Sequence, residues 1–319
     1  MTTAPRAGPA PRPQPAAASR WTHGPPLVQG MLRRATYSRR MRARLARGLA
    51  VAAAVVALVV PGSVASAADE IPDGAPVGYD VSYPQCAREL PEPAEFAVVG
   101  VNGGTAVTTN PCFRSQLDWA RGATGGTGQP PVALYVNTAN PGHDGSWWPT
   151  SNTYPAGART SVPNPYGVCR GEEDAACAYV YGYAKAHDSA WERGVPKPAT
   201  YMWWLDVETM NTWQPDRVAN RAVLEGMAYY LLEVLEAEGV GVYSTSYQWT
   251  QIVGRVGPVR QSSPARASIL NGLPSWLAGA TSLETARRAC GFASLTGGDV
   301  ALVQWVQDDL DHNYACSAE

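Results

Sequence analysis

The first 67 residues contain no aspartate and no glutamate, although they hold ten of the chain's 25 basic residues, all of them arginine. The remainder therefore carries 15 basic residues against all 27 acidic ones, a formal charge near −12 inside a whole-chain value of −2. Phosphate binding needs a basic face, so this acidity excludes nucleic acid as the partner. There is no C-x-x-C, and the four histidines (His23, His143, His187 and His312) are scattered, which argues against a zinc site. No G-x-S-x-G, H-E-x-x-H, G-x-x-x-x-G-K-[ST] or G-x-G-x-x-G occurs, so neither a cofactor nor a metal is expected. Phenylalanine is scarce, at 3 residues beside 11 tryptophans and 15 tyrosines.

The arginine-rich start has an internal order. Arg39, Arg40, Arg42, Arg44 and Arg47 precede an apolar run over residues 48–60. Pro61 and Gly62 break the run, and Val64-Ala65-Ser66-Ala67 follows. A basic region, a short apolar stretch and an A-x-A-like end make a secretory signal peptide, assigned to residues 31–67. The run is shorter than the roughly 20 residues that span a bilayer, so membrane contact is expected only through the signal. Residues 1–30 are rich in Pro and Ala and read as a disordered leader, or as sequence ahead of a start at Met31 or Met41. Residues 68–319 are then one domain, large enough for a single core. All six cysteines lie in it, and an even number in an exported chain implies three disulfides, expected in the order Cys86–Cys112, Cys169–Cys177 and Cys290–Cys316. The product is expected to be extracellular or cell-wall associated, and monomeric.

Strand and helix patterns alternate along that domain. Apolar runs predict strands over residues 76–81, 96–101, 131–136, 201–207, 239–244, 275–279 and 300–306. Helical spacing predicts helices over about 113–121, 175–193 and 215–238, the last with Pro215 and Asp216 in its first turn and Gly239 as its stop. Such alternation implies an α/β domain with a parallel sheet inside its helices, most simply a (β/α) TIM-like barrel, with an open doubly wound sheet as the alternative. Residues 140–174 break the rhythm. They form a long segment rich in Gly, Pro, Asn and Tyr, of a length that is usually functional or disordered, and Cys169/Cys177 closes its far end.

The centre of the domain reads Trp204-Leu205-Asp206-Val207-Glu208. Side chains alternate along a strand, so Asp206 and Glu208 share a face at its C-terminal end, where barrels of this type keep their active sites. Burial and mutual repulsion should raise the pKa of at least one of them, as a general acid requires. A bare D-x-E more often caps the next helix than carries chemistry. Two more positions favour chemistry. Asp80 ends the first strand, and Asp311 follows the last, with Asp308 and Asp309 close enough in sequence to take the same part. Carboxylates converging on one mouth suit glycosidic cleavage, which passes through an oxocarbenium-like state.

These motifs resemble glycoside hydrolase family 25, the lysozymes (muramidases) of cellosyl and phage type. The family's opening G-x-D-V-S is matched by Gly78-Tyr79-Asp80-Val81-Ser82, and its central L-W-L-D-V-E by Trp203-Trp204-Leu205-Asp206-Val207-Glu208. Val242-Tyr243-Ser244 with Trp249, Trp276-Leu277-Ala278, Gln304-Trp305 and Asp311-His312-Asn313 follow in the family's order. The resemblance implies Glu208 as general acid/base and Asp206 as the group that orients the substrate's N-acetyl substituent or the intermediate it forms. It implies Asp80 and Asp311 as flanking acids and Tyr243 as a cleft wall. Trp204, Tyr135, Trp305 and Asn102, at neighbouring strand ends, are expected to bind substrate with Tyr243. The chain departs from the family at Val101-Asn102-Gly103-Gly104, where members often carry a charged, lysine-containing strand end, and in its 140–174 insert.

Tyr and Trp offer a pyranose an apolar face and a polar edge. Trp147, Trp148, Trp203, Trp204 and Trp249 are therefore candidate platforms. The leading expectation is a secreted glycosidase acting on peptidoglycan or a related N-acetyl-sugar polymer. The alternatives are a glycan-binding module without turnover on the same barrel, and a purely structural secreted protein.

Overall fold

A computed structural model describes residues 71–72, 74–256 and 267–316. The expected leader and signal segments, 1–30 and 31–67, lie outside the described residues. Eight strands occur in the order β1 (Val77–Val81), β2 (Phe96–Gly100), β3 (Val132–Asn137), β4 (Met202–Asp206), β5 (Gly239–Ser244), β6 (Ser275–Ala280), β7 (Val300–Gln307) and β8 (Leu310–Ala315). They close into a barrel in sequence order. β1 to β7 pair in parallel, while β8 runs antiparallel to both β7 and β1. Helices α1 (Phe113–Ala120), α2 (Ala175–Trp191), α3 (Arg217–Tyr229), α4 (Ser246–Ile252) and α5 (Leu283–Ala289) fill the crossovers from β2 onward. The fold is an irregular (β/α) barrel rather than an open sheet.

Three expectations need correction. The closing strand β8 was not anticipated, because Leu310-Asp311-His312-Asn313-Tyr314-Ala315 lacks an apolar run. Asp308 and Asp309 form the two-residue turn of the β7–β8 hairpin, both with positive φ (52° and 58°), the geometry that twists with the flanking strands. The helix expected to reach residue 238 ends its α-helical part at Tyr229. A π-helical turn, Tyr230–Val234, follows it. At its start Asp216 is the N-cap, accepting from the Val218 N–H at 2.8 Å.

The alternation along β4 builds two cores. Trp203 and Leu205 join the outer core beneath the helices, while Met202 and Trp204 join Phe96, Val98, Trp276 and Leu302 inside the barrel. Asp206 continues the inner row up to the mouth. The Trp204 indole has room because residue 241 on the neighbouring strand is glycine. A Cβ there would stand 2.3 Å from the ring.

The disulfides are Cys86–Cys112, Cys169–Cys177 and Cys290–Cys316. The first ties the segment after β1 to the start of α1, and the last ties α5 to the end of β8. The insert 140–174 is ordered cover for α2. Trp148 and Trp147 stack on Tyr181 with centroids at 5.3 and 6.2 Å, and Asn152 binds the Cys169 N–H at 2.8 Å. With the insert on one side and α3 close on another, so close that a Cβ at Gly182 would lie 1.9 Å from the Val223 carbonyl oxygen, 12 of the 17 residues of α2 are buried, which explains a helix with little polar face. No helix among the described residues is long and apolar enough to cross a membrane.

Candidate active site

The C-terminal mouth of the barrel holds a cleft of about 280 Å³. Asp80, Asp206, Glu208 and Asp311 all line it, together with Tyr135 and Tyr243. Asp206 is the last residue of β4 and Glu208 stands two residues beyond it. Asp80 comes from β1 and Asp311 from β8, and the two are register partners across the closing seam. Asp311 therefore reaches the mouth at the start of an antiparallel strand, not after a final parallel one. Asp308 and Asp309 do not line the cleft. Their carbonyls instead accept from the Arg88 guanidinium at 2.7 and 2.6 Å.

Asp80 is fixed by neutral amides. Its Oδ2 accepts from Gln304 Nε2 at 2.9 Å and from Asn313 Nδ2 at 2.7 Å. Each amide is oriented by a donor on its other side. The Trp276 indole N–H donates to Asn313 Oδ1 at 2.7 Å, and the Tyr243 hydroxyl donates to Gln304 Oε1 at 2.8 Å. An indole nitrogen can only donate, so Asn313 must present its NH2 to Asp80. Asp206 is held by Asn137, its register partner on β3, whose Nδ2 donates to Oδ2 at 2.6 Å. Asp206 Oδ1 is buried with no hydrogen-bond partner among the described residues.

Among the described residues, no lysine, arginine or histidine lines the cleft. Burial and the charges of Asp311 and Glu208 push Asp80 from 3.8 up to about 8, against the lowering effect of its two amide donors. Burial, then the charge of Glu208, lifts Asp206 well above the usual carboxylate range. Burial also raises Glu208 and Asp311. A hydrogen bond from Gln248 opposes the rise at Glu208. Gln248, on α4, can only donate there because its Oε1 already accepts the Thr209 N–H at 2.5 Å and the Thr209 hydroxyl at 3.0 Å. Glu208 is half-buried, whereas Asp80 and Asp206 are buried. The cluster can thus hold protons at neutral pH and present one to a ligand through Glu208.

Three expected binding residues lie elsewhere. Trp204 shares the inner face with Asp206 but is fully buried among the inner-core residues, edge-on to Trp276 at 5.7 Å. Trp305 points to the outer core and stacks on His312 at 5.1 Å. Asn102 is buried and braces backbone, donating to the Thr108 carbonyl at 3.1 Å and accepting the Asn137 N–H at 3.0 Å. Of the other candidate platforms, Trp203 and Trp249 are core, and Trp147 and Trp148 pack on α2. Residues with no site role assigned from the sequence also line the cleft, among them Asn137, Trp276, Gln304 and Tyr83, the second and third of which appear in the sequence reading only within motif matches. Strand parity with Asp80 and Asp206 was the signal that could have found the first three.

A separate cavity of about 350 Å³ lies between α2, α3 and residues 267–271. Its buried carboxylate, Glu225, is taken up by the Tyr166 hydroxyl at 3.0 Å and the Ser268 hydroxyl at 2.6 Å.

The sequence matches no protein-family model and no curated protein. Among solved structures, the chain is similar to a muramidase from Trichobolus zukalii, at a TM-score of 0.45 and 14% identity over 76% of this chain and 95% of that one. The barrel assignment rests on the strand order, not on this likeness.

Proposed function

We propose that the protein is a secreted glycoside hydrolase that cleaves peptidoglycan or a related N-acetyl-sugar polymer. The observation that carries the reading is the convergence of four carboxyl groups from β1, the end of β4 and β8 on one cleft that no lysine, arginine or histidine lines among the described residues. Glu208 is the general acid/base. It is the accessible member of the central pair, and burial supports the proton it would give to the leaving oxygen. Asp206, two residues away on the same face, orients the N-acetyl group of the substrate or the intermediate that group forms. Asp80 and Asp311 flank the reacting sugar and hold substrate or water beside it. Tyr243 and Tyr135, kept as phenols by burial, supply cleft walls. Burial and the charge of Glu208 raise Asp206, while burial and Asp311 raise Glu208, so the protonations within the cluster are linked. Three disulfides fit the oxidising space that an exported enzyme would meet.

The test compares the native protein with Glu208→Gln in turbidity and reducing-end assays on peptidoglycan and on chitin-type polymer. The native protein should release product, and the variant should lose activity by about 100-fold or more. Equal, nonzero activity in both would remove Glu208 from the role. Binding without product on any polymer would favour the non-catalytic module.

A further inference from the structure

None of the tryptophans named as platforms lines the cleft, yet the cleft has an open aromatic group at its rim. Tyr83 lines the cleft beside Asp80 and Ser82 and keeps 46% of its surface exposed. We infer that Tyr83 is the stacking platform for one neutral pyranose ring of the glycan, in a subsite next to the four acids. This rests on the glycan-cleaving reading of the same cleft.

The platform is built in advance. Tyr83 opens a single 3₁₀ turn, Tyr83–Gln85, in which Pro84 fixes one backbone angle. The turn is closed on itself: the Ser82 N–H donates to Gln85 Oε1 at 2.9 Å, and the Gln85 N–H donates to the Ser82 carbonyl at 3.0 Å. The next residue, Cys86, is cross-linked to Cys112 at the head of α1. The ring leans on Gly104, whose φ of +89° and lack of a side chain make the contact possible. A Cβ at that position would lie 2.8 Å from Tyr83 Cε1 and 2.9 Å from Cζ. The loop carrying Gly104 is itself pinned, by Asn102 to the Thr108 carbonyl at 3.1 Å and by Arg193 to the Ala106 carbonyl at 3.0 Å. A ring held on both its own turn and the facing loop loses little freedom when a ligand covers it.

The chemistry of the ligand follows from the surroundings. An exposed phenol ring offers an apolar face to the C–H face of a pyranose and a hydroxyl to its rim. Met210, on the turn after Glu208 and 92% exposed, adds a second apolar group to the cleft. Among the described residues the cleft offers no lysine, arginine or histidine to pair with a uronate carboxylate, which favours a neutral sugar in this subsite.

The experiment measures binding of two probes, an N-acetylglucosamine hexamer and soluble peptidoglycan glycan strands, by titration calorimetry to full-length Glu208→Gln protein. Tyr83→Ala and Tyr83→Phe are added in that background, with a thermal melt of each as a folding control. Tyr83→Ala should weaken binding of at least one probe about ten-fold, and Tyr83→Phe should stay within about two-fold of the parent. Unchanged affinity in Tyr83→Ala overturns the platform while leaving the cleft's function standing. A loss in Tyr83→Phe equal to that in Tyr83→Ala overturns it too, since the hydroxyl rather than the ring would then carry the contact. If the parent binds neither probe and the native protein cuts neither polymer, the platform falls together with the functional reading.

Discussion

Replacing Asp80 by asparagine should make the protein more stable as pH rises. The substitution keeps the shape, and the remaining side-chain oxygen can still accept from Gln304 and Asn313. In the folded chain, burial and the neighbouring acids push Asp80 from 3.8 to about 8. Between those two values the folded state holds the proton and the unfolded state has released it. The unfolded state then binds one proton fewer, so native stability falls by about 1.4 kcal/mol per pH unit on account of this one group. The contribution is intact below the unfolded pKa and is lost as pH climbs through the folded one. For a domain of this size 1 kcal/mol moves Tm by about 2–4 °C, so the native protein should lose about 3–6 °C per pH unit that Asp80→Asn retains. The two melting curves should nearly coincide at pH 4 and diverge steadily towards pH 8. Removing the Asp80 charge also eases the rise at Asp206, which adds to the divergence in the same direction. The assay is near-UV circular dichroism melting from pH 4 to 8.5 at constant ionic strength. Parallel curves across that range would refute the account of Asp80 as a proton-holding buried acid.

Two further outcomes follow from neighbouring contacts. Asn137→Ala removes the donor that lowers the Asp206 pKa, so the pH optimum of glycan cleavage should move upward, with a stability loss of about 1–3 kcal/mol. An unmoved optimum in pH–rate profiles would show that Asn137 does not tune the pair. Replacing Cys86 and Cys112 by serine opens a 26-residue separation and should cost about 3.5 kcal/mol in denaturant unfolding. Replacing Cys169 and Cys177, 8 residues apart, should cost about 2.5, and a reversed order would contradict the loop-entropy estimate.

The parts of the fold legible in the sequence were those where one physical term dominates. Phe96-Ala97-Val98-Val99-Gly100 is buried on both faces and so reads as an unbroken apolar run. β8 was hidden because its inner face carries Asp311 and Asn313, which give a site strand the look of a loop. The four acids were legible because a carboxylate at a strand end stands out in an apolar context. Their holders were not, since Asn137, Gln304 and Asn313 carry no charge and matter only through partners on other strands. The tryptophans misled for a geometric reason. Trp204 and Asp206 do share a face, but in a barrel a step of two residues inward passes from the mouth to the packed interior. Trp305 has the opposite parity to Gln304 and never faces the cleft.

The amide-held carboxylate at Asp80 ties the acid cluster to completion of the barrel. Its hydrogen-bond path runs from Tyr243 on β5 to Gln304 on β7, Asp80 on β1, Asn313 on β8 and Trp276 on β6. The strand that shuts the barrel is therefore also the one that delivers Asn313 and Asp311. A chain cut short before residue 310 would keep Asp206 and Glu208 but lack both the seam and half of the acids' surroundings. Barrel closure and the acid cluster are lost together, so an unfinished chain would hold neither, whereas a chain nicked in the β7–β8 turn would keep β8 tethered through Cys290–Cys316.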